Sequence, residues 1–226
     1  MPPVAEPFAD VSVDPPVRGF LHRPDSPHNS FVLTHGAGSN SRAPLLVALA
    51  ETLASAGFVV LRCDLPYRQA RSYGPPRPNE AVRDRQGLAN AVSVIRKLAP
   101  GRTFLGGHSY GGRQASMLCA EQLGLVDGLL LCSYPLHPPG KPDRLRTQHL
   151  PDLRVPVLFV HGTRDPFGTI DELEAARKLI PGKTALLRVD GAGHDLGFKG
   201  KARREELPGE IVPEFRGLVG QQASSR

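Results

Sequence analysis

The sequence predicts an α/β fold with a mostly parallel central sheet and helices on both of its faces. Short apolar runs, such as 31–34 and 157–160, have the length and composition of buried strands. Between such runs lie segments with apolar residues at helical spacing, for example 44–56. Strands that alternate with helices in this way form parallel sheets covered on both faces. Functional residues are then expected in loops at the carboxyl ends of the strands.

The chain begins with a proline-rich stretch and then follows this alternation. Residues 1–16 predict an irregular arm, and 17–22 predicts an edge strand. Further strands are predicted at 31–34, 58–61, 103–105, 129–132, 157–160 and 184–189. Helices are predicted at 44–56, around 88–98, from Ser109 to about Leu123, at 169–180 and at 208–219.

Start and stop signals support these helix boundaries. Pro44 suits the first turn of a helix, and Gly57 follows directly after the same helix. Thr169 and Glu172 have the spacing of a capping box, in which each side chain bonds the other residue's backbone N–H. The stretch 63–79 holds four prolines and predicts a loop.

Length and composition indicate one domain. A chain of 226 residues, with 40% hydrophobic and 22% charged residues, is long enough to bury a core of its own. The insert at 133–155 is too short for a lid domain and is expected to form the rim of the site. The apolar runs are too short to cross a membrane, and residues 1–10 have no secretory signal pattern. We expect a cytoplasmic protein.

The cysteines and the distribution of charge argue against a metalloprotein and against a nucleic-acid-binding protein. Cys63, Cys119 and Cys132 lie in or beside apolar stretches without metal-ligand spacing, so buried reduced thiols and no metal or other cofactor are expected. The formal net charge is +6, but the basic residues are scattered. Their cluster at 199–204 has no interleaved aromatic residues for base stacking and is typical of a solvated surface. Neither nucleic acid nor a membrane is expected as a partner.

The stretch 103–113 contains the strongest functional signal. Gly107, Ser109 and Gly111 form a G-x-S-x-G motif between a strand-like run and a helix-compatible segment. In that context the serine occupies a sharp turn that exposes its hydroxyl, and glycines stand where a side chain would collide with the neighbouring elements. The alternative is an ordinary glycine-rich loop. We interpret Ser109 as a nucleophile.

A serine nucleophile needs a base, and the base needs a third group that orients it. After a G-x-S-x-G turn, the order along the chain is serine, acid, histidine. Asp165 follows the strand at 157–160 and His194 follows the strand at 184–189, so we interpret them as the acid and the base. The alternatives are a turn-capping role for Asp165, with Asp190 as the acid, and a solvated loop position for His194.

Backbone N–H groups are expected to stabilise the oxyanion that forms in acyl transfer. The N–H of Tyr110 directly follows the nucleophile, and the N–H of Ala37 lies in the loop 35–38 after an early strand. His35 is expected to brace this loop. His161 is expected to be structural, because it precedes the candidate acid along the chain.

Three motifs resemble those of the α/β-hydrolase superfamily. They are His-Gly-Ala-Gly at 35–38, Gly-His-Ser-Tyr-Gly at 107–111, and Gly-Thr-Arg-Asp at 162–165 together with Gly-His at 193–194. The finer pattern at 64–68, 134–142 and 146–150 is similar to a branch of small predicted hydrolases without a lid, related to dienelactone hydrolase. The resemblance implies the α/β-hydrolase fold, with Ser109, Asp165 and His194 as the triad. It implies no substrate, and a dienelactone hydrolase proper has cysteine in place of Ser109.

These observations predict a serine hydrolase, of the esterase or thioesterase type, that cleaves a small soluble ester through an acyl-enzyme. The alternative is a catalytically silent scaffold that binds a ligand or a partner. Arg68, Arg113, Arg146 and His149 have two possible roles. They could bind an anionic acyl or leaving group, or they could belong to an ion-paired scaffold. We expect a monomer or a homodimer.

Overall fold

A computed structural model describes residues 4–198 and 206–220. Its eight strands are β1 (Glu6–Asp10), β2 (Val17–His22), β3 (Asn29–Thr34), β4 (Phe58–Cys63), β5 (Thr103–His108), β6 (Leu129–Cys132), β7 (Val157–Gly162) and β8 (Thr184–Val189). Its helices are α1 (Pro44–Ser55), α2 (Pro66–Ala70), α3 (Ala81–Ile95), α4 (Tyr110–Glu121), α5 (Ile170–Arg177) and α6 (Glu206–Gly220). Single 3-10 turns lie at Pro78–Glu80, Arg96–Leu98 and Leu150–Asp152.

All eight strands form one sheet in the order β1-β2-β4-β3-β5-β6-β7-β8. The six strands from β3 to β8 are parallel, whereas β1 and β2 are antiparallel to their neighbours. In the described chain, the segment between β6 and β7 contains one 3-10 turn and no further helix or strand. The predicted α/β class, with a mostly parallel sheet and without a large lid domain, is confirmed.

The sheet separates two apolar layers, and β3 illustrates how the sequence sorts its side chains between them. Phe31 and Leu33 pack in one layer and Val32 packs in the other, because successive side chains of a strand point to opposite faces. Phe215 of α6 packs 5.3 Å, between ring centroids, from both Phe31 and Phe104. Helices α1 and α6 therefore cover one face of the sheet, and α3, α4 and α5 cover the other.

The predicted helix signals operate as expected. Pro44 is in the first turn of α1, and Gly57 follows the helix with a positive φ of 88°. At the start of α5, the Thr169 side chain accepts a bond from the Glu172 N–H at 3.2 Å, and the Thr169 N–H donates to the Glu172 carboxylate at 2.8 Å. Both boundaries follow from local chemistry that the sequence displays.

Two predictions were wrong. Within the predicted irregular arm, Glu6–Asp10 forms the edge strand β1, so β2 lies inside the sheet. The arm is ordered because its backbone pairs with β2, and the sequence carries no clear apolar alternation to announce this pairing. Within the predicted loop 63–79, Pro66–Ala70 forms α2, with Pro66 in its first turn. The basic cluster at 199–204 lies outside the described residues.

The parallel strands bring several loops to one edge of the sheet. The loops that follow β3, β5, β7 and β8 carry Ala37, Ser109, Asp165 and His194, respectively. Among the described helices, none combines the length and the apolar character that a membrane span needs.

Candidate active site

Ser109 occupies the turn that joins β5 to α4. Its backbone has φ 51° and ψ −118°, and a positive φ is uncommon for a residue with a side chain. The Ser109 N–H donates to the carbonyl of Cys132 at 2.8 Å, and its own carbonyl accepts the N–H of Arg113 at 3.0 Å. These two bonds hold a conformation that costs on the order of 1–3 kcal/mol.

The glycines around Ser109 are required by the space that surrounds them. A Cβ atom placed on Gly107 would lie 2.7 Å from the backbone nitrogen of Gly112. A Cβ atom on Gly111 would lie 2.5 Å from the carbonyl oxygen of His35. Both distances are far below van der Waals contact, and both neighbours are backbone atoms that cannot rotate away. The motif therefore sets a close approach of strand, turn and helix.

His194 and Asp165 complete a chain of hydrogen bonds that starts at the serine hydroxyl. His194 Nε2 lies 2.8 Å from Ser109 Oγ, and His194 Nδ1 lies 2.8 Å from Asp165 Oδ2. The Asp165 side chain is fully buried, and its Oδ1 accepts the N–H of Phe167 at 2.9 Å. A carboxylate held in this way fixes the proton of His194 on Nδ1 and leaves Nε2 to face the serine.

Two aromatic neighbours hold the His194 ring. The Phe167 ring stacks on it with centroids 4.2 Å apart, and the His108 ring lies 5.2 Å away. His108 Nε2 donates a hydrogen bond to the His194 carbonyl oxygen at 2.8 Å. Burial lowers the pKa of His108 to about 4. His108 is therefore neutral near pH 7, and no second positive charge competes with a protonated His194.

The other acid and base considered from the sequence lie elsewhere. Asp190 is exposed at the end of β8, while the carboxylate on His194 Nδ1 is that of Asp165. His161 is fully buried, and its Nε2 donates to the carbonyl of Gly168 at 2.8 Å. His161 thus fastens the loop that carries Asp165, as expected of a structural histidine.

The two predicted oxyanion donors lie at the same pocket as Ser109. Ala37, Ser109 and Tyr110 all line it. The Tyr110 N–H is in the first turn of α4, where backbone N–H groups have no acceptor within the helix. A Cβ atom on Gly36 would lie 3.4 Å from the Ser109 Cβ, so the loop after β3 passes directly beside the serine.

His35 and Tyr67 brace the loop that carries Ala37. The Leu65 N–H donates to His35 Nε2 at 3.2 Å, so the His35 proton is on Nδ1, which donates to the Gly36 carbonyl at 2.9 Å. The Tyr67 hydroxyl donates to the Ala37 carbonyl at 2.9 Å. These bonds orient the peptide groups of the loop through their carbonyl oxygens.

Asp84 is a buried carboxylate that sequence reasoning missed. It lies on α3 and accepts the Tyr110 hydroxyl at 2.7 Å and the Tyr67 N–H at 3.0 Å. Burial raises the pKa of Asp84, and burial together with the bond to Asp84 raises the pKa of Tyr110. Asp84 thereby joins the residue after Ser109 to the residue that braces the Ala37 loop. The sequence did not indicate this role, because a single aspartate in an amphipathic helix is normally predicted to lie on the solvent-exposed face of the helix.

The pocket at Ser109 has a volume of about 860 Å³. Of the four cationic or histidine side chains that the sequence singled out, Arg113 and Arg146 line it. Arg68 is buried, and its guanidinium donates to backbone carbonyls, among them that of Ser39 at 2.7 Å. His149 Nε2 lies 2.8 Å from the hydroxyl of Ser116, away from the pocket wall. Arg68 and His149 are therefore parts of the scaffold.

The described residues contain no group of three or more histidine, cysteine or acidic side chains arranged to bind a metal ion. Cys63, Cys119 and Cys132 are buried free thiols, and burial raises the pKa of each to about 12. None of them is a nucleophile or a metal ligand in this environment, because both roles require the thiolate.

Comparisons with known proteins match most of the chain. A family model described as an alpha/beta hydrolase domain matches residues 27–208. A candidate phosphoribosyl transferase of Mycobacterium tuberculosis is 30% identical over 201 residues, which is 85% of this chain and 42% of that protein. The chain thus spans less than half the length of the curated relatives that it matches.

Solved structures share the fold at low sequence identity. The dienelactone hydrolase from Anabaena variabilis has a TM-score of 0.75 and 19% identity, over 96% of this chain and 98% of the other. An alpha-beta serine hydrolase homologue from Coxiella burnetii has a TM-score of 0.72 and 20% identity, over 92% of this chain and 96% of the other.

Proposed function

The chain belongs to the α/β-hydrolase family, and on that premise we propose that it is a serine hydrolase that cleaves a small soluble carboxylic ester or thioester. The observation that carries the proposal is the continuous set of contacts from Ser109 through His194 to Asp165, with separations of 2.8 Å at both steps. A strained serine, an imidazole and a buried carboxylate in this order are the parts that activate a hydroxyl for attack.

In the first half of the reaction, Ser109 Oγ attacks the carbonyl carbon and its proton passes to His194 Nε2. The tetrahedral intermediate collapses when the leaving oxygen or sulfur departs with that proton, which leaves an acyl group on Ser109. In the second half, His194 takes a proton from water, the hydroxide attacks the acyl carbon, and the product acid leaves as Ser109 regains its proton. Asp165 stabilises the imidazolium that forms in both halves.

We propose the backbone N–H groups of Ala37 and Tyr110 as the donors that bind the oxyanion of the tetrahedral intermediate. They belong to the loop after β3 and to the first turn of α4, and both line the pocket at Ser109. Removal of one such donor typically costs a hundredfold or more in rate. His35 and Tyr67 then have positioning roles, because they bind the Gly36 and Ala37 carbonyls of the loop that carries one donor. Asp84 has a positioning role because it binds the Tyr110 hydroxyl and the Tyr67 N–H.

We also propose a cellular compartment and a class of partner for this protein. The three cysteines are buried thiols without disulfides, which agrees with a reducing, cytoplasmic compartment. The substrate is a small molecule, without a requirement for nucleic acid, a membrane or a cofactor. We propose that the protein acts as a monomer or a homodimer.

The test of the proposal is intact-mass analysis after reaction with a fluorophosphonate probe, which phosphonylates activated serines. We expect one adduct on the wild-type protein and none on Ser109→Ala. Hydrolysis of p-nitrophenyl butyrate should follow the same pattern. Ser133→Ala is the matched control, because Ser133 is a buried serine after β6 that also has a positive φ, of 50°. This control should still give the adduct.

A folded wild-type protein that gives no adduct and cleaves no ester would contradict the proposal. That outcome would favour the alternative, a hydrolase-like scaffold that binds a ligand or a partner without turnover. Circular dichroism of each variant distinguishes loss of reactivity from loss of fold.

A further inference from the structure

Two arginines line the wall of the pocket next to the candidate nucleophile. Arg113 lies on α4 four residues after Ser109, so the two residues are on the same side of this turn. Arg146 comes from the segment between β6 and β7, and its Nη1 donates to the carbonyl of Pro135 at 3.2 Å. Arg113, Pro135 and Arg146 all line the pocket. A helix and a loop that are far apart in sequence thus bring two guanidinium groups to one cavity.

Arg113 and Arg146 differ in their partners from three arginines that form ion pairs. Arg71, Arg83 and Arg85 form ion pairs with Glu80, Asp14 and Glu121, respectively. In the described part of the chain, neither Arg113 nor Arg146 forms an ion pair with a carboxylate. The Arg113 guanidinium interacts with the Tyr134 hydroxyl, and its buried Nε has no hydrogen-bond acceptor. Guanidinium N–H donors that are shielded from water and lack acceptors carry a substantial cost.

The comparison with Arg68 separates a scaffold role from a binding role. The Arg68 guanidinium donates to the backbone carbonyls of Ala37, Ser39, Arg71 and Gly74, so its donors are used within the protein. Among the residues that the structure describes, the Arg146 side chain has one hydrogen bond, the bond to the Pro135 carbonyl. The two pocket arginines therefore retain donors for a ligand.

The charges on the pocket wall are predominantly positive. Arg77, Arg113 and Arg146 line it, and Asp195, beside His194, is the acidic residue among the described lining residues. His108 also lines the pocket but is neutral near pH 7. Burial lowers the pKa of Arg146, and the nearby charge of Arg113 lowers it further. Two like charges that repel each other in a half-buried wall are stabilised when an anion binds between them.

We propose that this pocket binds an ester or thioester whose acyl or leaving group carries a carboxylate or a phosphate, and that Arg113 and Arg146 bind that anion. The inference rests on the proposed hydrolase function, because it names the substrate class of the same site. Planar guanidinium groups suit both anions, since their paired N–H donors match two oxygens of a carboxylate or a phosphate. The anion is not altered in the reaction and serves to orient the scissile carbonyl at Ser109.

The experiment compares p-nitrophenyl hemisuccinate with p-nitrophenyl butyrate, which share the leaving group and the length of the acyl chain. The quantity measured is the ratio of kcat/KM for the anionic ester to that for the neutral ester. We expect this ratio to fall about tenfold in Arg113→Gln and in Arg146→Gln, because a charge-assisted hydrogen bond is lost. Arg83→Gln is the control, since its ion pair with Asp14 is on the surface, and its ratio should equal that of the wild type.

Two further arms identify the position and the type of the anion. The pair 4-acetoxybenzoate and methyl 4-acetoxybenzoate places the charge on the leaving group instead of the acyl group. Succinate and inorganic phosphate, each tested as an inhibitor of fluorophosphonate labelling, distinguish a preference for carboxylate from one for phosphate. Protection by either should be weaker in Arg113→Gln than in the wild type.

The outcomes distinguish failure of this inference from failure of the proposed function. If the wild type is labelled by the probe but neither arginine variant changes any ratio or protection, the anion proposal is overturned and the hydrolase proposal stands. If the folded wild type is neither labelled nor active on any ester, the hydrolase proposal fails and the substrate proposal fails with it. Arg113→Lys, which retains the charge, should keep part of the preference and so separates charge from guanidinium geometry.

Discussion

Gly111 illustrates how a single atom decides whether the turn at Ser109 forms. A methyl group at this position would lie 2.5 Å from the His35 carbonyl oxygen and 2.7 Å from Thr34 Cγ2. Strand β3 and helix α4 would have to separate to make room for it. We expect Gly111→Ala to lower the free energy of unfolding by about 2–4 kcal/mol, measured by urea denaturation.

Gly217→Ala is the matched control for this substitution. Gly217 also lies in a helix, α6, but it is exposed, and a Cβ atom added there would have no neighbouring atom within 4 Å. Alanine there should raise the free energy of unfolding by about 0.5–1 kcal/mol, because it restricts the unfolded chain and favours helix. Equal effects of the two substitutions would contradict the steric explanation of the motif.

Residues that carry the candidate chemistry were accessible from sequence because their signals are local. Ser109 sits in a motif whose glycines have a steric cause, and Asp165 and His194 each follow a recognisable strand in the expected order. Their meeting within hydrogen-bond distance follows from the common edge of the parallel strands. By contrast, the scaffold role of Arg68 depends on carbonyl groups of two separate segments, the loop with Ala37 and Ser39 and the loop with Gly74, which no local pattern identifies.

At the scale of elements, helices α2, α3 and α4 act together on the loop after β3. The Tyr67 hydroxyl of α2 donates to the Ala37 carbonyl. Asp84 of α3 accepts hydrogen bonds from the Tyr67 N–H and from the Tyr110 hydroxyl of α4. One buried carboxylate therefore holds both Tyr110, whose N–H is one proposed oxyanion donor, and Tyr67, which binds the carbonyl of Ala37, the residue of the other proposed donor. We expect this arrangement to restrict movement of the two proposed donors relative to each other.

Tyr67→Phe tests this coupling while it keeps the ring in place. We expect kcat/KM for p-nitrophenyl butyrate to fall about tenfold, which is less than the loss on removal of an oxyanion donor, because the Ala37 peptide is loosened but still present. The rate of fluorophosphonate labelling should fall in parallel. Tyr73→Phe is the control, since Tyr73 is 82% exposed, and its rates should match the wild type. Unchanged rates in Tyr67→Phe would refute the positioning role.

The elements that the sequence did not predict are those that depend on neighbours. Strand β1 has little burial of its own and is ordered by backbone bonds to β2. Helix α2 is five residues long, too short to show a helical period, and its residues Tyr67 and Arg68 are fixed by bonds to other segments. The longer helices and the central strands were predictable because the period of their apolar residues identifies the element type and the face that packs in the core.

At the scale of the whole molecule, burial lowers the pKa of three described histidines, His35, His108 and His149. Burial lowers the pKa of His108 to about 4, and burial together with the charge of Arg113 lowers the pKa of His149 to about 4. The His149 Nε2–H donates to the Ser116 hydroxyl, whose own proton is donated to the carbonyl of Arg113. All three histidines have an ordinary pKa near 6.5 once the chain unfolds.

The sign of the resulting pH dependence follows from proton binding. Between about pH 6.5 and pH 4 the unfolded chain binds more protons at these three histidines than the folded protein does, so acid favours unfolding. The free energy of unfolding should fall by about 2–4 kcal/mol over this interval. The raised pKa of buried Asp84 acts in the opposite direction, because the folded state then retains a proton above the ordinary range of an aspartate. Its effect offsets part of the loss at the acid end of the interval.

His149→Gln separates this mechanism from general acid sensitivity. Glutamine keeps an N–H donor for Ser116 but does not titrate, so the variant should lose about a third of the pH dependence between about pH 6.5 and pH 4.5. The measurement is urea denaturation at several pH values in that range. His28→Gln is the control, because His28 is exposed, and its pH dependence should match the wild type. A His149→Gln profile that coincides with the wild type would place the acid sensitivity in other groups and leave the neutral state of His149 without consequence for stability.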